Sequence, residues 1–366
     1  MRNTLKLAAA LALVVATATA PAARGTAPST GPAFQSLGTL AFGPQGVLYA
    51  ADPLAATIFA VDLGAQAAGA VPGTKDVPGI DQKIAALLGT EAAAVTITDL
   101  VVHPTSHNSF IAVMRGQGAA AQPALVRVDG AGTLAVVGTE ALKFTSVAIP
   151  NPVAAASTGR NNRTQSITDM AYANGRLYVA GLSNEEFSSK FWSVPYPFQN
   201  ADNGASVEIF HGNHGRLETN SPVMAFVPTS INNQPYLIAG YTCTPLVKFP
   251  IGDLKPGAKI LGTTIAELGA GNRPIDMLLY KKGNTEFLLM SNTSRGVMKI
   301  ATTPFGSASG ITTKVPEGTA GVPFETIAAM QGVVQMDLLD ATRSIVITRT
   351  GTGPASVINL AAVALP

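Results

Sequence analysis

Short apolar runs separated by polar turns recur along most of the chain. Residues 221–251 show the pattern clearly, as an apolar run, a polar turn, a second apolar run, a small polar loop and a third run. The same order returns in residues 37–63, 167–198 and 273–301. Runs of this length, bounded by turn-forming residues, predict β-strands rather than helices. The pattern therefore indicates an all-β chain built from repeated antiparallel units.

One apolar position recurs in the first strand of each unit. Its occupants are Leu40, Leu100, Met170, Met224, Met277 and Leu338. The successive differences between these residue numbers are 60, 70, 54, 53 and 61. A period of this size, with several short strands in each unit, is typical of propeller blades. We therefore predict an all-β, six-bladed β-propeller whose blades are mostly antiparallel four-stranded sheets.

Local features agree with this architecture. Asn174-Gly175 is a strong hairpin signal between two apolar runs. The second strand of each unit is a continuous apolar run, as expected for strands buried on both faces, and a helix is predicted only around residues 81–88. The last unit lacks an outer strand, and we expect residues of about 25–34 to supply it, because closure removes an open edge.

The first 20 residues differ from the rest of the chain. Arg2 and Lys6 flank a basic start, Leu7 to Val15 are apolar, and small residues follow up to Ala20. This order predicts a cleaved signal peptide and a secreted or periplasmic protein, with an uncleaved membrane anchor as the alternative. The predicted organisation is a signal peptide over 1–20, an N-terminal segment over 21–36 and a single propeller domain over 37–366.

Composition narrows the function further. The chain of 366 residues is 47% hydrophobic and 13% charged, which predicts a large folded core. Its formal net charge of +2 argues against nucleic acid as a partner, and no membrane span is expected after signal cleavage. The single cysteine excludes an intrachain disulfide.

Strand direction sorts the loops of a propeller onto two faces. Loops that enter first strands, and loops that join second to third strands, share one face, which also carries the longest loops. Candidate ligand-binding side chains on this loop-rich face are Arg216, Glu218, Asn220, Arg273, Asn292 and Arg295. His211, His214 and Cys243 belong to the same face, whereas His103 and His107 belong to the opposite one. A single four-histidine site is therefore not expected.

His211, His214 and Cys243 form a candidate metal site, because two imidazoles and a thiolate suit zinc or copper. The alternative is a polar loop stabilised by its histidines, beside a cysteine packed as a small apolar residue. A Cys-His nucleophile pair matches no recognised protease signature. Both main interpretations remain open from the residues alone.

Four aspartates each precede the recurring apolar position: Asp99, Asp169, Asp276 and Asp337. The innermost strands of a propeller line a narrow channel, so these carboxylates should approach its axis. They are candidates for a shared channel cation such as Ca²⁺, which prefers oxygen ligands. In the alternative, each carboxylate accepts backbone N–H groups where the strands begin.

Residues 37–63 resemble a blade of the NHL-repeat and gluconolactonase-like six-bladed propellers, through the line LAFGPQGVLYAAD at residues 40–52 and the strand that follows it. Those families repeat the line L-A-F-G-P-D-G-x-L-Y-V-A-D, and Gln45 stands here where aspartate is usual. The resemblance implies a six-bladed propeller. It also implies two chemistries, a divalent metal at the channel mouth in lactonase-like members and histidine-bound zinc in amidating lyases. Neither ligand set can be matched residue by residue to this sequence.

Two functional hypotheses follow. In the first, an exported propeller binds a small molecule or a protein partner through its loop-rich face. In the second, a metal-dependent hydrolase or lyase, lactonase-like in character, acts on a small molecule at the channel mouth. No G-x-S-x-G, H-E-x-x-H or Gly-rich phosphate loop is present, and no catalytic residue can be named. This absence favours the binding protein.

Overall fold

A computed structural model describes residues 31–69, 73–155, 162–243, 245–316, 318–353 and 356–366. It contains six small, mainly antiparallel sheets arranged in a ring, which is a six-bladed β-propeller. The predicted fold class is therefore confirmed. The predicted signal peptide lies outside the described residues.

The first three blades are numbered by their order along the chain. Blade 1 contains β1 (Leu40–Phe42), β2 (Leu48–Asp52), β3 (Thr57–Asp62) and β8 (Lys143–Ala148). Blade 2 contains β4 (Val95–Val102), β5 (Ser109–Arg115), β6 (Gln122–Val128) and β7 (Leu134–Val136). Blade 3 contains β9 (Asp169–Ala173), β10 (Arg176–Leu182), β11 (Ser189–Pro195), β12 (Ala205–His211) and β13 (Arg216–Glu218), and β17 (Lys259–Leu261) pairs in parallel with β12.

The last three blades follow the same plan. Blade 4 contains β14 (Val223–Ile231), β15 (Gln234–Tyr241), β16 (Pro245–Pro250), β18 (Thr263–Leu268) and β22 (Thr319–Gly321). Blade 5 contains β19 (Pro274–Lys282), β20 (Thr285–Asn292), β21 (Gly296–Ala301) and β23 (Glu325–Thr326). Blade 6 contains β24 (Val333–Leu338), β25 (Arg343–Thr350) and β26 (Val357–Ala364).

The ring order of the blades differs from their order along the chain. The innermost strands stand side by side as β4, β1, β9, β14, β19 and β24, and β24 closes the ring against β4. Blade 1 therefore lies between blades 2 and 3. After blade 2 the chain returns, and β8 pairs along β3 from Thr57 to Asp62 to complete blade 1. Because β8 is inserted between blades 2 and 3, the interval between their recurring apolar positions, Leu100 and Met170, is the longest, at 70 residues.

Apolar side chains fill the gaps between neighbouring blades. Phe110 of blade 2 packs with Leu48 of blade 1, and Trp192 of blade 3 packs in a cluster with Tyr49 of blade 1. The interface that closes the ring joins Ile111 of blade 2 to apolar residues of blade 6. The single α-helix among the described residues, α1 (Ile80–Leu88), contributes Ile80 and Ile84 to this interface. The core thus lies between the blades and leaves a channel along the ring axis.

We predicted that residues of about 25–34 form an outer strand of blade 6. This prediction is wrong for residues 31–34, which the structure describes. Gly31 donates its N–H to the carbonyl of Glu140, and the Phe34 ring packs on Phe59 of blade 1. Instead, Val77 forms the bridge to Leu360 at the outer strand of blade 6. The aromatic residue Phe34 prefers the apolar surface of blade 1 to an exposed sheet edge. Residues 25–30 lie outside the described part of the chain.

The helix near residue 80 was predicted, and it extends for nine residues. Gly89, at φ 64, ends it in the left-handed region that favours glycine. Among the described residues, no helix has both the length and the apolar character that a bilayer crossing requires.

Candidate functional site

The two histidines of the candidate metal site lie at opposite ends of one tight turn in blade 3. His211 is the last residue of β12, and the turn leads into β13 at Arg216. The N–H of Gly215 donates to the carbonyl of His211 at 2.8 Å, and Gly215 has φ 67, which favours glycine. The turn therefore places His214 beside His211, and the two ring centroids are 3.8 Å apart.

Glu218 orients both imidazoles. Its Oε2 lies 3.0 Å from Nδ1 of His211, and its Oε1 lies 2.6 Å from Nδ1 of His214. Ser221 donates its hydroxyl to Oε2 at 2.5 Å. An ionised carboxylate only accepts hydrogen bonds, so each Nδ1 carries a proton. Nε2 of each ring is then the nitrogen that can bind a metal, and such a carboxylate–histidine pair is the usual support for metal-ligating histidine.

Burial differs between the two rings. The His211 residue is 1% exposed, and its Nε2 is buried without a hydrogen-bond partner. The side chain of His214 is 43% exposed, so the site opens to solvent on this side. An unpartnered buried polar atom is unfavourable, because it loses its water without a replacement. A bound metal would supply the partner that His211 lacks.

Cys243 approaches the histidines from blade 4. It lies in the loop after β15 and has φ 63, a left-handed conformation that costs about 1 kcal/mol or more for a residue with a side chain. Two hydrogen bonds hold this backbone. The N–H of Cys243 donates to Asn272 at 2.8 Å, and Nδ2 of Asn213 donates to the carbonyl of Cys243 at 3.4 Å.

The ligand atoms of His211, His214 and Cys243 all lie within 4.8 Å of one another. Ligand bonds to zinc of about 2.0–2.3 Å require roughly 3.6 Å between the ligand atoms of a tetrahedral site. A metal would therefore draw the donors together by about 1 Å, which the exposed His214 side chain can accommodate. The three residues that were singled out from the sequence do converge, and the residues present fit a zinc or copper ion.

The electrostatics favour a neutral His211 imidazole beside an ionised Glu218 carboxylate. Burial lowers the pKa of His211, although Glu218 works in the opposite direction. Burial alone would raise the pKa of Glu218, but hydrogen bonds from Ser221, His211 and His214 prevail and lower it to about 2. A neutral imidazole is the form that binds a metal ion.

Glu267 supports the same turn and was not singled out from the sequence. It is fully buried on β18, and its Oε1 accepts the N–H of Gly212 at 2.5 Å. Its Oε2 is buried without a partner, and burial raises the pKa of Glu267 to about 7. The sequence around Glu267 reads as an ordinary strand, so no local signal could reveal this contact between blades.

The remaining candidate ligand-binding residues are dispersed. Asn292 is buried, accepts a hydrogen bond from Asn272 and donates to two backbone carbonyls of blade 5. Its side chain therefore stabilises the fold of this loop. Arg216 is 71% exposed and contacts Glu218 at 3.3 Å. Asn220 is exposed, and exposed Arg295 donates to the carbonyl of Ala270 at 3.4 Å. The structure thus brings Arg216 and Glu218 to the histidines.

Arg273 lies elsewhere, at the rim of the channel mouth. The other histidine pair lies in the turn that follows β4, beyond the end of this strand that is farther from the channel-mouth residues Thr98 and Asp99. This position agrees with the prediction from strand direction. His103 packs on Phe42 and Phe110, and its Nδ1 accepts the N–H groups of Thr105 and Ser106. His103 therefore shapes a turn.

The four channel aspartates join neighbouring blades. Each accepts the N–H of the residue that follows it through Oδ1, at 2.7–2.8 Å. Each also accepts an N–H from an adjacent innermost strand through Oδ2. Those donors, at 2.6–2.7 Å, are Leu40 to Asp99, Phe226 to Asp169, Met336 to Asp276 and Val102 to Asp337.

This geometry supplies partners for all eight carboxylate oxygens without a cation. Burial raises the pKa of Asp99 and Asp169 to about 7 and that of Asp337 to about 6. Burial also raises the pKa of Asp276, and the charge of Asp99 adds to the effect. Within the described ranges, only the His211 cluster brings three metal-binding donors together. The shared Ca²⁺ site stays a prediction.

Comparisons with known proteins do not show a family for this chain. No protein-family model matches the chain, and no curated protein matches it. One similar solved structure is the PQQ-bound form of an aldose sugar dehydrogenase from Streptomyces coelicolor. It is 12% identical with a TM-score of 0.33, and the alignment covers 92% of this chain and 97% of that one.

A second similar structure is a putative oxidoreductase (glucose dehydrogenase) from Thermus thermophilus. It is 12% identical with a TM-score of 0.32, over 92% of this chain and 98% of that one. Similarities at this level carry no argument about fold or activity. The resemblance to the NHL-repeat and gluconolactonase-like families stays a prediction.

Proposed function

We propose that this chain is an exported propeller that binds one transition-metal ion, zinc or copper, through His211, His214 and Cys243. The observation that carries the proposal is the pairing of both imidazoles with the Glu218 carboxylate through Nδ1. This pairing leaves Nε2 as the nitrogen of each ring that can bind a metal, and each of the three residues offers a ligand atom within 4.8 Å of those of the other two. The sequence of residues 1–20 supports export to the periplasm or the medium.

Three protein ligands leave a coordination position for a further molecule. Closed structural zinc sites have four protein ligands, whereas sites with three take water or substrate in the fourth position. The exposed edge of His214 gives such a molecule access from the loop-rich face. The propeller would therefore present a metal-bound small molecule or a metal-bound group of a protein partner.

Calorimetric titration of metal-free protein with ZnCl₂ and with CuSO₄ tests the metal site. We expect one ion per chain. Loss of a ligand in His211→Ala or Cys243→Ser should weaken binding by about 100-fold or more, because even supporting residues contribute 10–100-fold. His107→Asn is the matched control, since His107 is exposed on the opposite face. Binding that is absent from the unmodified chain, or equally lost in the control, would refute the proposal.

A second candidate is a metal-dependent hydrolase or lyase. The open coordination position favours it, because a metal can polarise a carbonyl group or activate a bound water. Arg216, beside Glu218, could pair with an anionic group of the substrate. The site lies on the fourth and fifth strands of blade 3 rather than at the channel mouth that lactonase-like chemistry would use. Hydrolysis of a lactone and ester panel by the zinc-loaded chain, but not by His211→Ala, would establish it.

A further inference from the structure

A separate cavity of about 580 Å³ opens at the mouth of the channel on the loop-rich face. Its volume is in the range of about 300–1,000 Å³ that is usual for small-molecule sites. Each blade contributes one residue in or next to its innermost strand. In chain order, these residues are Thr39, Thr98, Thr168, Met224, Ile275 and Gln335.

The wall of this cavity has a polar arc and an apolar arc. Around the ring, the polar residues come from the four consecutive blades 6, 2, 1 and 3, and the apolar residues come from the adjacent blades 4 and 5. The hydroxyl oxygen of Thr168 is buried and lacks a partner. A ligand with one polar side and one apolar side would match this wall, and it could supply the partner that Thr168 lacks.

The floor of the cavity is acidic. Asp99, Asp169 and Asp276 line it, while Asp337 lies deeper in the channel and does not line the cavity. Burial raises the pKa of all three floor carboxyls, and the charge of Asp99 raises that of Asp276 further. Arg273 lies at the rim, and within the described part of the chain no ion pair joins it to these carboxylates. A cation on the floor would relieve this repulsion.

The spacing of the carboxylates distinguishes between kinds of cation. A bare metal ion needs several oxygens within about 2.3–2.6 Å of one point. Among the described residues, the floor carboxylates form no such convergent group. An ammonium group carries directed N–H donors and can bond to separate acceptors. Oδ1 of Asp169 already accepts both the N–H of Met170 and the hydroxyl of Thr39. The other floor carboxylate oxygens each accept one backbone N–H and retain a second lone pair.

We propose that the channel-mouth cavity binds an organic ammonium ion with an apolar chain. The ammonium group donates hydrogen bonds to the Asp99, Asp169 and Asp276 carboxylates. The apolar chain lies against Met224 and Ile275. This site is separate from the His211 cluster and does not depend on a bound metal.

Titration calorimetry of the full chain with hexylammonium chloride tests the inference. We expect saturable binding, at least tenfold tighter than that of propylammonium, because three further methylene groups become buried. Sodium hexanoate and hexanol, which match the chain but lack the cationic group, should bind at least tenfold more weakly. The proposal would be overturned if hexanoate bound more tightly than hexylammonium, or if hexylammonium, hexanoate and hexanol bound equally well. Displacement of hexylammonium by micromolar CaCl₂ would also overturn it.

Two variants locate the site. Asp169→Asn should weaken hexylammonium binding by at least tenfold, whereas Asp337→Asn should change it less than twofold. The two residues accept the same kind of backbone hydrogen bonds, but only Asp169 lines the cavity. Met224→Gln leaves every carboxylate in place, and it should reduce the preference for hexylammonium over propylammonium. An unchanged affinity and an unchanged preference in these variants would contradict the assignment.

Discussion

Carboxylates perform different tasks in the two polar regions of this propeller. In the channel, Asp99, Asp169, Asp276 and Asp337 accept backbone N–H groups from their own and neighbouring strands. Beside blade 4, Glu218 accepts hydrogen bonds from the side chains of His211, His214 and Ser221 instead. The first arrangement fixes the blades relative to one another. The second fixes two imidazole rings.

The difference lies in what each arrangement leaves without a partner. Every oxygen of the four channel carboxylates has a backbone donor, so none of these oxygens lacks a partner in the fold itself. Around Glu218, in contrast, Nε2 of His211, Oδ1 of Asn213 and Oε2 of Glu267 are buried without partners. Unpartnered buried polar atoms are unfavourable for folding. Their concentration at one turn supports the proposed metal site.

The largest expected effect concerns Glu218. Glu218→Gln keeps the size of the side chain but removes the charge and one acceptor. We expect zinc affinity to fall by about 10–100-fold, as is usual when the support of a ligating histidine is removed. Calorimetric titration measures the change. Glu185→Gln is the control, because Glu185 is an acidic residue of the same blade that pairs with Lys190 outside the site. Equal affinities in both variants would show that Glu218 does not prepare the ligands.

A smaller effect is expected in the channel. Asp169→Asn places an amide N–H₂ against one of the two backbone donors that the carboxylate accepts. Loss of one satisfied buried acceptor should lower the free energy of unfolding by about 1–3 kcal/mol. Asp340→Asn, at an exposed ion pair with Arg343, should lower it by less than about 1 kcal/mol. Urea unfolding of both variants measures the difference, and equal losses would contradict a joining role for the channel carboxylates.

The smallest expected effect is a pH dependence. Burial raises the pKa of Asp99 and Asp169 to about 7 in the folded chain, above the unfolded value of about 3.9. The folded state then holds protons that the unfolded state has released. This stabilisation is complete below the unfolded pKa and is lost as pH rises through about 7.

We therefore expect the urea concentration at the unfolding midpoint to decrease as the pH is raised from about 6.5 to about 7.8. Below this window the unfolded histidines titrate, and above it Lys75, whose pKa burial lowers to about 8, acts in the opposite direction. Asp169→Asn should reduce the slope, whereas Asp340→Asn should not. A midpoint that stays constant or rises with pH would contradict this assignment.

The fold was predictable because its signals are local. Asn174-Gly175 does form the turn between β9 and β10, and the recurring apolar positions do lie in innermost strands. The ring order was not predictable, because the return of β8 to β3 depends on pairing between residues that are far apart in the sequence. Phe34, for the same reason, packs on blade 1 rather than completing blade 6.

The candidate site was predictable in part. Alternating strand direction placed His211, His214 and Cys243 on one face, and the structure brings their donor atoms together. The role of Glu218 as the common partner of both rings depends on the geometry of the turn. Glu267 reaches the turn from a different blade. Contacts between blades depend on how complete sheets pack, and no short motif encodes them.

Titration of the metal-free chain with Co²⁺, followed by absorption spectroscopy, tests the central claim most directly. Cobalt replaces zinc in sites of this type, and a thiolate ligand produces a sulfur-to-cobalt charge-transfer band. We predict that one equivalent of Co²⁺ produces this band and that Cys243→Ser abolishes it while His107→Asn retains it. Absence of the band from the unmodified chain, or its persistence in Cys243→Ser, would contradict a metal centre formed by His211, His214 and Cys243.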